Sequence, residues 1–431
     1  MIKKLVAGLC LLCATAAFSQ ENNASPYSFY GIGDTKFKST AENKSMGGIG
    51  SISDSIHINL QNPASYSQLK FTTFTVAASQ AHTKLTTDTE SGKASRTSLD
   101  YIALAFPFKK VGIAFGLMPY TSVGYRIQNT QVDSATGLTF QKKYDGSGGL
   151  NRTFAGFSYK ITDKLSLGAE FNYYFGNIQT QSIVDIVDVD PTDDADPDGL
   201  QYRNKESNST DYNAVAVNFG AYYQTLINKK YTWTASATFT PEAKLKGQTN
   251  RTIAIIPGGS SGSETPIDSE TEVVNDNGNR MPMKIAGGTG FGITRKWFAG
   301  LEYTYTGNNV LANRYDGITN ASFEAGHRFA LGGYYIPKFY SFTSYLSRIT
   351  YRAGLRYEKT GLVVNDQSIN DYALTFGVGL PVGGIGGSNI NIGTEIGKRG
   401  TKNAGLIQEN YFNVYISLSL NDRWFVKRRF E

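Results

Sequence analysis

The stretch "KLSLGAEFNYYF", Lys164 to Phe175, decides how the chain folds. Leu165, Leu167, Ala169, Phe171, Tyr173 and Phe175 take alternate positions, with Ser166, Gly168, Glu170, Asn172 and Tyr174 between them. A period of two places the first set on one face of a β-strand and the second on the other. "NYFNVYISLSL", Asn410 to Leu420, repeats the pattern, with Phe412, Val414, Ile416, Leu418 and Leu420 on the apolar face.

Working outward, the same alternation predicts strands near 71–82, 97–106, 111–125, 149–160, 164–178, 211–226, 231–243, 283–293, 297–307, 322–336, 348–359, 369–381, 388–397 and 410–420, fourteen in all. Short turns such as "PFKK", "ITDK" and "TRKW" alternate with polar loops at about 83–96, 126–148, 179–210, 244–282, 308–321, 360–368 and 398–409. An even strand number with brief turns at one end and long loops at the other is the pattern of an outer-membrane barrel. The expected class is all-β: a 14-stranded antiparallel transmembrane β-barrel over 71–420, with an N-terminal lumenal plug over 20–70. A soluble sandwich or propeller does not predict that asymmetry, and closure removes the open edges that lipid forbids.

Composition agrees. The chain has 27 Tyr, 25 Phe and 46 Gly but only 5 Met, which favours strands and tight turns. Residues 1–19 read as a signal peptide: Lys3 and Lys4, an apolar run from Leu5 to Phe18, and a small-x-small site at Ala17 to Ser19. Its removal takes away Cys10 and Cys13, leaving no thiol for a disulfide, and 40 basic against 36 acidic side chains, a formal charge of +4. That small excess gives no support to nucleic-acid binding. No later apolar run reaches the length of about 18 that a membrane helix needs. His57, His82 and His327 lie too far apart in sequence for a zinc motif. No nucleophile, base and oxyanion set can be assembled either, so an enzyme is not expected.

Residues 20–70 do not alternate. They hold "SMGGIGSI" and "NLQNPASYSQL", in which Asn62 can cap a short helix with Pro63 at its first position. "MGG" (Met46, Gly47, Gly48) and "NPAS" (Asn62, Pro63, Ala64, Ser65), followed by fourteen alternating strands, resemble the FadL-like outer-membrane transporter superfamily, which includes long-chain fatty-acid and hydrocarbon transporters and PorV-type barrels. The resemblance implies that the N-terminal segment is a hatch in the lumen. It also implies a role: transport of small hydrophobic molecules by a hatch and lateral opening. The alternative it leaves open is a non-transporting barrel subunit of an envelope protein-secretion or barrel-assembly complex. The partners to expect are outer-membrane lipids and either a hydrophobic small molecule or an envelope-complex protein, around a monomeric barrel.

Four groups of residues are candidates for function. By alternation Glu170, Glu302, Glu324, Arg328, Arg352, Arg356, Glu358 and Glu395 point inward, since in lipid a basic group costs roughly 2–4 kcal/mol at the midplane. They read as an ion-pair network bracing hatch to wall, or as a lining for a substrate headgroup. Pro119 interrupts the third strand between "VGIAFGLM" and "VGYRI". A closed barrel has no edge where a missing N–H is harmless, so a break in wall hydrogen bonding is expected within 116–123. The resemblance makes Gly116, Pro119 and Tyr120 the lateral opening; a bulge that only bends the strand is the plainer reading. Asp194, Asp196 and Asp198 begin a D-x-D-x-D-G calcium loop, but Lys205 stands where the bidentate Glu belongs, so a solvated acidic surface loop is the plainer reading and calcium the one candidate cofactor. The tail 421–431 carries Trp424, Lys427, Arg428 and Arg429, suited to a partner or to anionic headgroups at the periplasmic mouth.

Overall fold

The computed structural model describes residues 23–132, 139–187, 202–257, 265–276, 278–308, 320–382 and 387–424. Among these no helix is long and apolar enough to cross a membrane. The wall is a closed antiparallel barrel of fourteen strands. In chain order they are Thr72–Thr86, Ser91–Phe108, a third in two pieces (Val111–Pro119 and Thr121–Val132), Thr139–Lys160, Leu165–Val187 and Tyr202–Ile227. The seventh is Tyr231–Thr240, continued by Ala243–Pro257, and the eighth is Lys284–Ile293. Trp297–Thr306, Gly326–Tyr335, Thr350–Val364, Gln367–Pro381, Asn389–Arg399 and Gln408–Asp422 complete the ring. The first strand pairs with the fourteenth from Thr72↔Asp422 to Thr86↔Gln408, so the sheet has no outer edge.

Alternation sorts the side chains. On the fifth strand Leu167, Phe171, Tyr173 and Phe175 are exposed, while Ser166, Glu170, Asn172 and Tyr174 are buried in the lumen. Beyond Phe175 the outward residues become Asn177 and Gln179, so the lipid-facing band ends there and the strand runs on above it. A cross-strand row Tyr303, Phe329, Tyr357 and Tyr372 marks the upper margin of the band. Trp297, Tyr335 and Tyr351 mark the lower margin, next to the short turns. Both rows are aromatic girdles at the two membrane interfaces.

The expected loops are shorter than the sequence reading makes them. Residues 83–86 and 91–96 are strand, joined by a turn at 87–90, and the expected loop at 360–368 is strand except for a turn at 365–366. Above the membrane both faces of a strand meet water or polar neighbours, so the apolar alternation that reveals a strand disappears although the ladder continues.

Residues from Asn23 onward fill the lumen as a hatch with little regular structure: a turn of helix at Pro26–Phe29, a two-residue strand Asp34–Thr35, a helix Ala41–Lys44 capped by Thr40, and a helix Pro63–Gln68. Asn62 caps the last of these, accepting from the Ala64 N–H at 3.0 Å, with Pro63 at its first position.

Candidate functional site

Glycine lets the hatch backbone lie flat on the wall. Gly300, Gly332 and Gly354 form a cross-strand row on its inner side. A Cβ on Gly354 would lie 2.8 Å from the Gly47 Cα. Gly47 has φ +69° and its own Cβ would stand 2.6 Å from the Leu355 carbonyl oxygen, so no other residue fits there without strain. Pro63 and Ala64 settle likewise over Gly168, whose Cβ would lie 2.6 Å from the Ala64 nitrogen.

Charge fixes what glycine admits. Glu170 is paired with Lys38 and accepts from the Tyr66 hydroxyl at 2.5 Å. Burial pulls the Lys38 ammonium down to about 8, although Glu170 opposes the shift. Glu302 accepts from the Gly50 N–H at 2.7 Å, and Arg328 donates to the Gly47 carbonyl at 2.8 Å while stacking on Phe37. Arg328 also lies 3.7 Å from Glu358. These residues join hatch to wall. Arg356, by contrast, joins wall to wall through Asp371 and Glu395, both at 2.9 Å. Arg352 donates to Asn391 at 3.0 Å, and Glu324 pairs with Lys359 at 2.8 Å and accepts from Ser368. Asn391 in turn donates to Glu42 of the hatch at 2.6 Å, so all eight charged candidates are drawn into contacts, some with the hatch and some within the wall.

The wall is broken on one side of the third strand. Its lower piece pairs with the second strand only from Phe108↔Val111 to Ile102↔Leu117; above that level no pairing joins the two among the described residues. On the other side the fourth strand runs past the break with a one-residue shift, from Pro119↔Asn151 to Val123↔Gly148. The Tyr120 N–H donates to Leu150 at 2.8 Å, so by alternation position 119 faces the second strand, where proline has no donor to give. Directly opposite, the second strand is bulged: Ala77 pairs Tyr101 and Ala78 pairs Leu99, leaving Asp100 as the extra residue. Pro119, through Asn151, stands level with Phe175, at the upper margin of the lipid-facing band.

The hatch occupies the broken edge. Asp34 and Thr35 pair with Ser122 and Thr121, and the Lys36 N–H donates to the Tyr120 carbonyl at 2.8 Å. Asn23 reaches both lips of the gap: its side chain donates to the Ser122 carbonyl at 3.0 Å, and its own carbonyl accepts from Arg96 of the second strand at 3.1 Å. Residues Thr121 to Tyr125 are buried on both faces as a result.

Behind the break lies a lumenal cavity of about 460 Å³ whose lining includes Lys36, Tyr120, Arg152, Tyr174 and Lys284. Tyr120 and Tyr174 meet edge to face at 4.6 Å; the Lys284 ammonium lies 5.9 Å from the first ring and the Arg152 guanidinium 6.0 Å from the second. Most charges lining the cavity are paired, but Lys36, Arg152 and Lys284 have no carboxylate at ion-pair distance among the described residues. Arg152 is 6 % exposed and its Nε has no acceptor. Burial lowers the pKa of the Lys36 ammonium. None of these three is singled out by the sequence: for Arg152 and Lys284 alternation gives the side on which a charge points but not whether it has a partner, and Lys36 lies in the hatch, which does not alternate.

Comparison with known proteins places this geometry. A BamG family model matches residues 1–431. The chain belongs to the BamG family. Among solved structures, this BamG-family barrel is similar to the CymD monoaromatic hydrocarbon channel, at 12 % identity and TM-score 0.57 over 93 % of this chain and 100 % of that one. The Ralstonia pickettii toluene transporter TbuX matches at 14 % identity and TM-score 0.58, over 89 % of this chain and 98 % of that one. A Pseudomonas aeruginosa FadL homologue matches at 12 % and 0.56, over 90 % and 98 %. No curated protein matches the chain. The FadL-like fold read from "MGG" and "NPAS" is the fold these neighbours share, and the apolar band between two aromatic girdles is the outer face of an outer-membrane barrel. Trp424 is half exposed at the short-turn end, its ring 5.7 Å from Phe106. Lys427, Arg428 and Arg429, the Asp194, Asp196 and Asp198 loop, and the signal segment lie outside the described residues.

Proposed function

We propose that the barrel passes small hydrophobic molecules that end in an acidic group, holding them in the lumenal cavity and releasing them sideways at the break in the third strand. The observation that carries this reading is the pair Arg152 and Lys284, beside the Tyr120–Tyr174 rings behind that break with no carboxylate at ion-pair distance among the described residues, and Lys36 lining the same cavity. Partly dehydrated cations without counter-ions are unfavourable, and an incoming carboxylate or phosphate relieves them while its apolar part lies on the rings. A neutral hydrocarbon leaves all three unmatched. For release the hatch strand Asp34–Thr35 must leave the edge it covers, giving up its two paired residues, the Lys36–Tyr120 backbone bond, the Asn23 contacts and the Asp34–Arg399 ion pair at 2.7 Å.

The test is equilibrium binding of radiolabelled dodecanoate and dodecane to the purified protein and to an Arg152→Gln, Lys284→Gln double variant. Charge-assisted hydrogen bonds contribute about 1.5–3 kcal/mol each, so the double variant should bind dodecanoate at least about tenfold more weakly. Equal binding of acid and alkane, or of acid by both proteins, would refute the reading. A second reading, the non-transporting complex subunit, draws on Trp424, an exposed aromatic at the periplasmic rim. A stoichiometric protein co-purifying in mild detergent, lost on Trp424→Ala, is its test.

A further inference from the structure

The short-turn end of the barrel has one exception to its brevity. Between the tenth strand, ending at Tyr335, and the eleventh, beginning at Thr350, the chain makes a fourteen-residue excursion, "IPKFYSFTSYLSRI". Ile336 and Ile349 at its ends are buried, but the apolar side chains between them are turned outward: Tyr340 is 68 % exposed, Leu346 67 % and Phe342 fully exposed, with Phe339 and Tyr345 beside them.

The segment is nevertheless ordered by its own bonds. The Lys338 N–H donates to Ser347 at 2.7 Å, the Arg348 N–H to Tyr345 at 2.9 Å, and the Tyr345 hydroxyl to the Pro381 carbonyl at 3.1 Å. The Tyr351 hydroxyl donates to the Leu346 carbonyl at 3.3 Å. Tyr351 belongs to the lower aromatic girdle on the outer, lipid-facing side of the wall, so that last bond places the loop against the lipid side and not over the pore. Cations frame the apolar residues. Arg295, from the neighbouring turn, lies 4.8 Å from the Phe339 ring and 5.6 Å from that of Tyr340; Arg348 lies 5.2 Å from Tyr345; Lys296 and Lys338 stand alongside in sequence. No Asp or Glu occurs in residues 325–357 or 281–301.

We propose that this loop is a foot that rests in the periplasmic leaflet of the outer membrane, with Phe342, Tyr340 and Leu346 at the headgroup–acyl boundary and Arg295, Lys338 and Arg348 on anionic phospholipid headgroups. Three features single out lipid as the occupant. The loop continues a face that already meets lipid, its aromatic and cationic residues are those that settle at a membrane interface, and its one-signed charge complements an acidic leaflet. The foot does not depend on the transport reading, since it involves neither the cavity nor the break.

The chain has no cysteine after Cys13, which permits single-site labelling. Phe342→Cys, labelled with an environment-sensitive nitrobenzoxadiazole and reconstituted in nanodiscs of phosphatidylcholine with or without phosphatidylglycerol, reports the foot's depth. Asp88→Cys, exposed in a turn at the opposite end, is the aqueous control. Lipids carrying a nitroxide near the headgroup should quench the label at 342 and spare that at 88. Neutralising Arg295, Lys338 and Arg348 to Gln should weaken the preference for phosphatidylglycerol by about fivefold per charge. A label at 342 as accessible to water as the one at 88 overturns the proposal, and so does one shielded only when a periplasmic protein is added. Quenching that does not depend on the three cations overturns its anionic part.

Discussion

His57 illustrates how one hatch residue is tuned by its seat. Its Nδ1 lies 2.6 Å from Asp54 and its Nε2 3.8 Å from Glu42, with the Arg352 guanidinium as the opposing charge. Burial works against the imidazolium, but the two carboxylates outweigh it, and the pKa rises above the ordinary 6.5. A raised pKa means that the folded state binds the proton more tightly than the unfolded one. The resulting stabilisation is complete below pH 6.5 and is lost as pH rises through the elevated value. His57→Gln should therefore destabilise hatch seating most in mild acid, and the difference from the parent protein should shrink as the solution becomes alkaline. Thermal unfolding of both proteins across pH 5 to 9, followed by heat-dependent electrophoretic mobility, checks this. A difference that grows with pH would mean that Asp54 and Glu42 do not hold a charged imidazole.

At the scale of the element, the third strand shows how two local irregularities make one gap. Pro119 removes a donor that faces the second strand, and the bulge at Asp100 displaces the acceptors opposite it. Either alone would bend a strand; facing each other, they end the ladder. Pro119→Val supplies the donor but leaves the bulge, so it should add one slowly exchanging amide at position 119 and slow the uptake of a hydrophobic acid several-fold without stopping it. Uptake unchanged or faster, with the new amide protected, would detach the gap from transport. A break near Pro119 was legible in the sequence because proline leaves a strand without a donor, but its extent was not: Gly116, grouped with Pro119 and Tyr120, pairs with Ala103 and Phe154 in an unbroken ladder. The bulge was not, since "SLDYIA" carries no glycine or other mark where Asp100 is squeezed out. The upper strands were missed for a different reason: "QNTQV" of the third strand pairs with "TFQKK" of the fourth, and neither has an apolar face to give it a period.

For the whole molecule, the outer face and the lumen were the readable parts. Glu170, Arg328 and Arg356 could be turned inward from parity alone, because lipid leaves a charge no other side. Their division into hatch-bracing and wall-bracing groups depends on where Gly47, Gly50 and Lys38 come to rest, and the hatch sequence has no periodicity from which to tell. For the same reason the strand Asp34–Thr35 and its place on the broken edge were invisible, yet the proposed release depends on them, since they cover the free edge of the third strand beside the cavity. The most direct test is to fix that contact. Thr35 and Thr121 are facing partners in an antiparallel pair, where Cα atoms lie about 4.5–5.5 Å apart, within reach of a disulfide. In a Thr35→Cys, Thr121→Cys variant, uptake of radiolabelled dodecanoate should fall to background under oxidising conditions and return when a reductant is added. Uptake at the same rate in the oxidised and reduced states would contradict the account, for the molecule would then leave by a route that the hatch does not close.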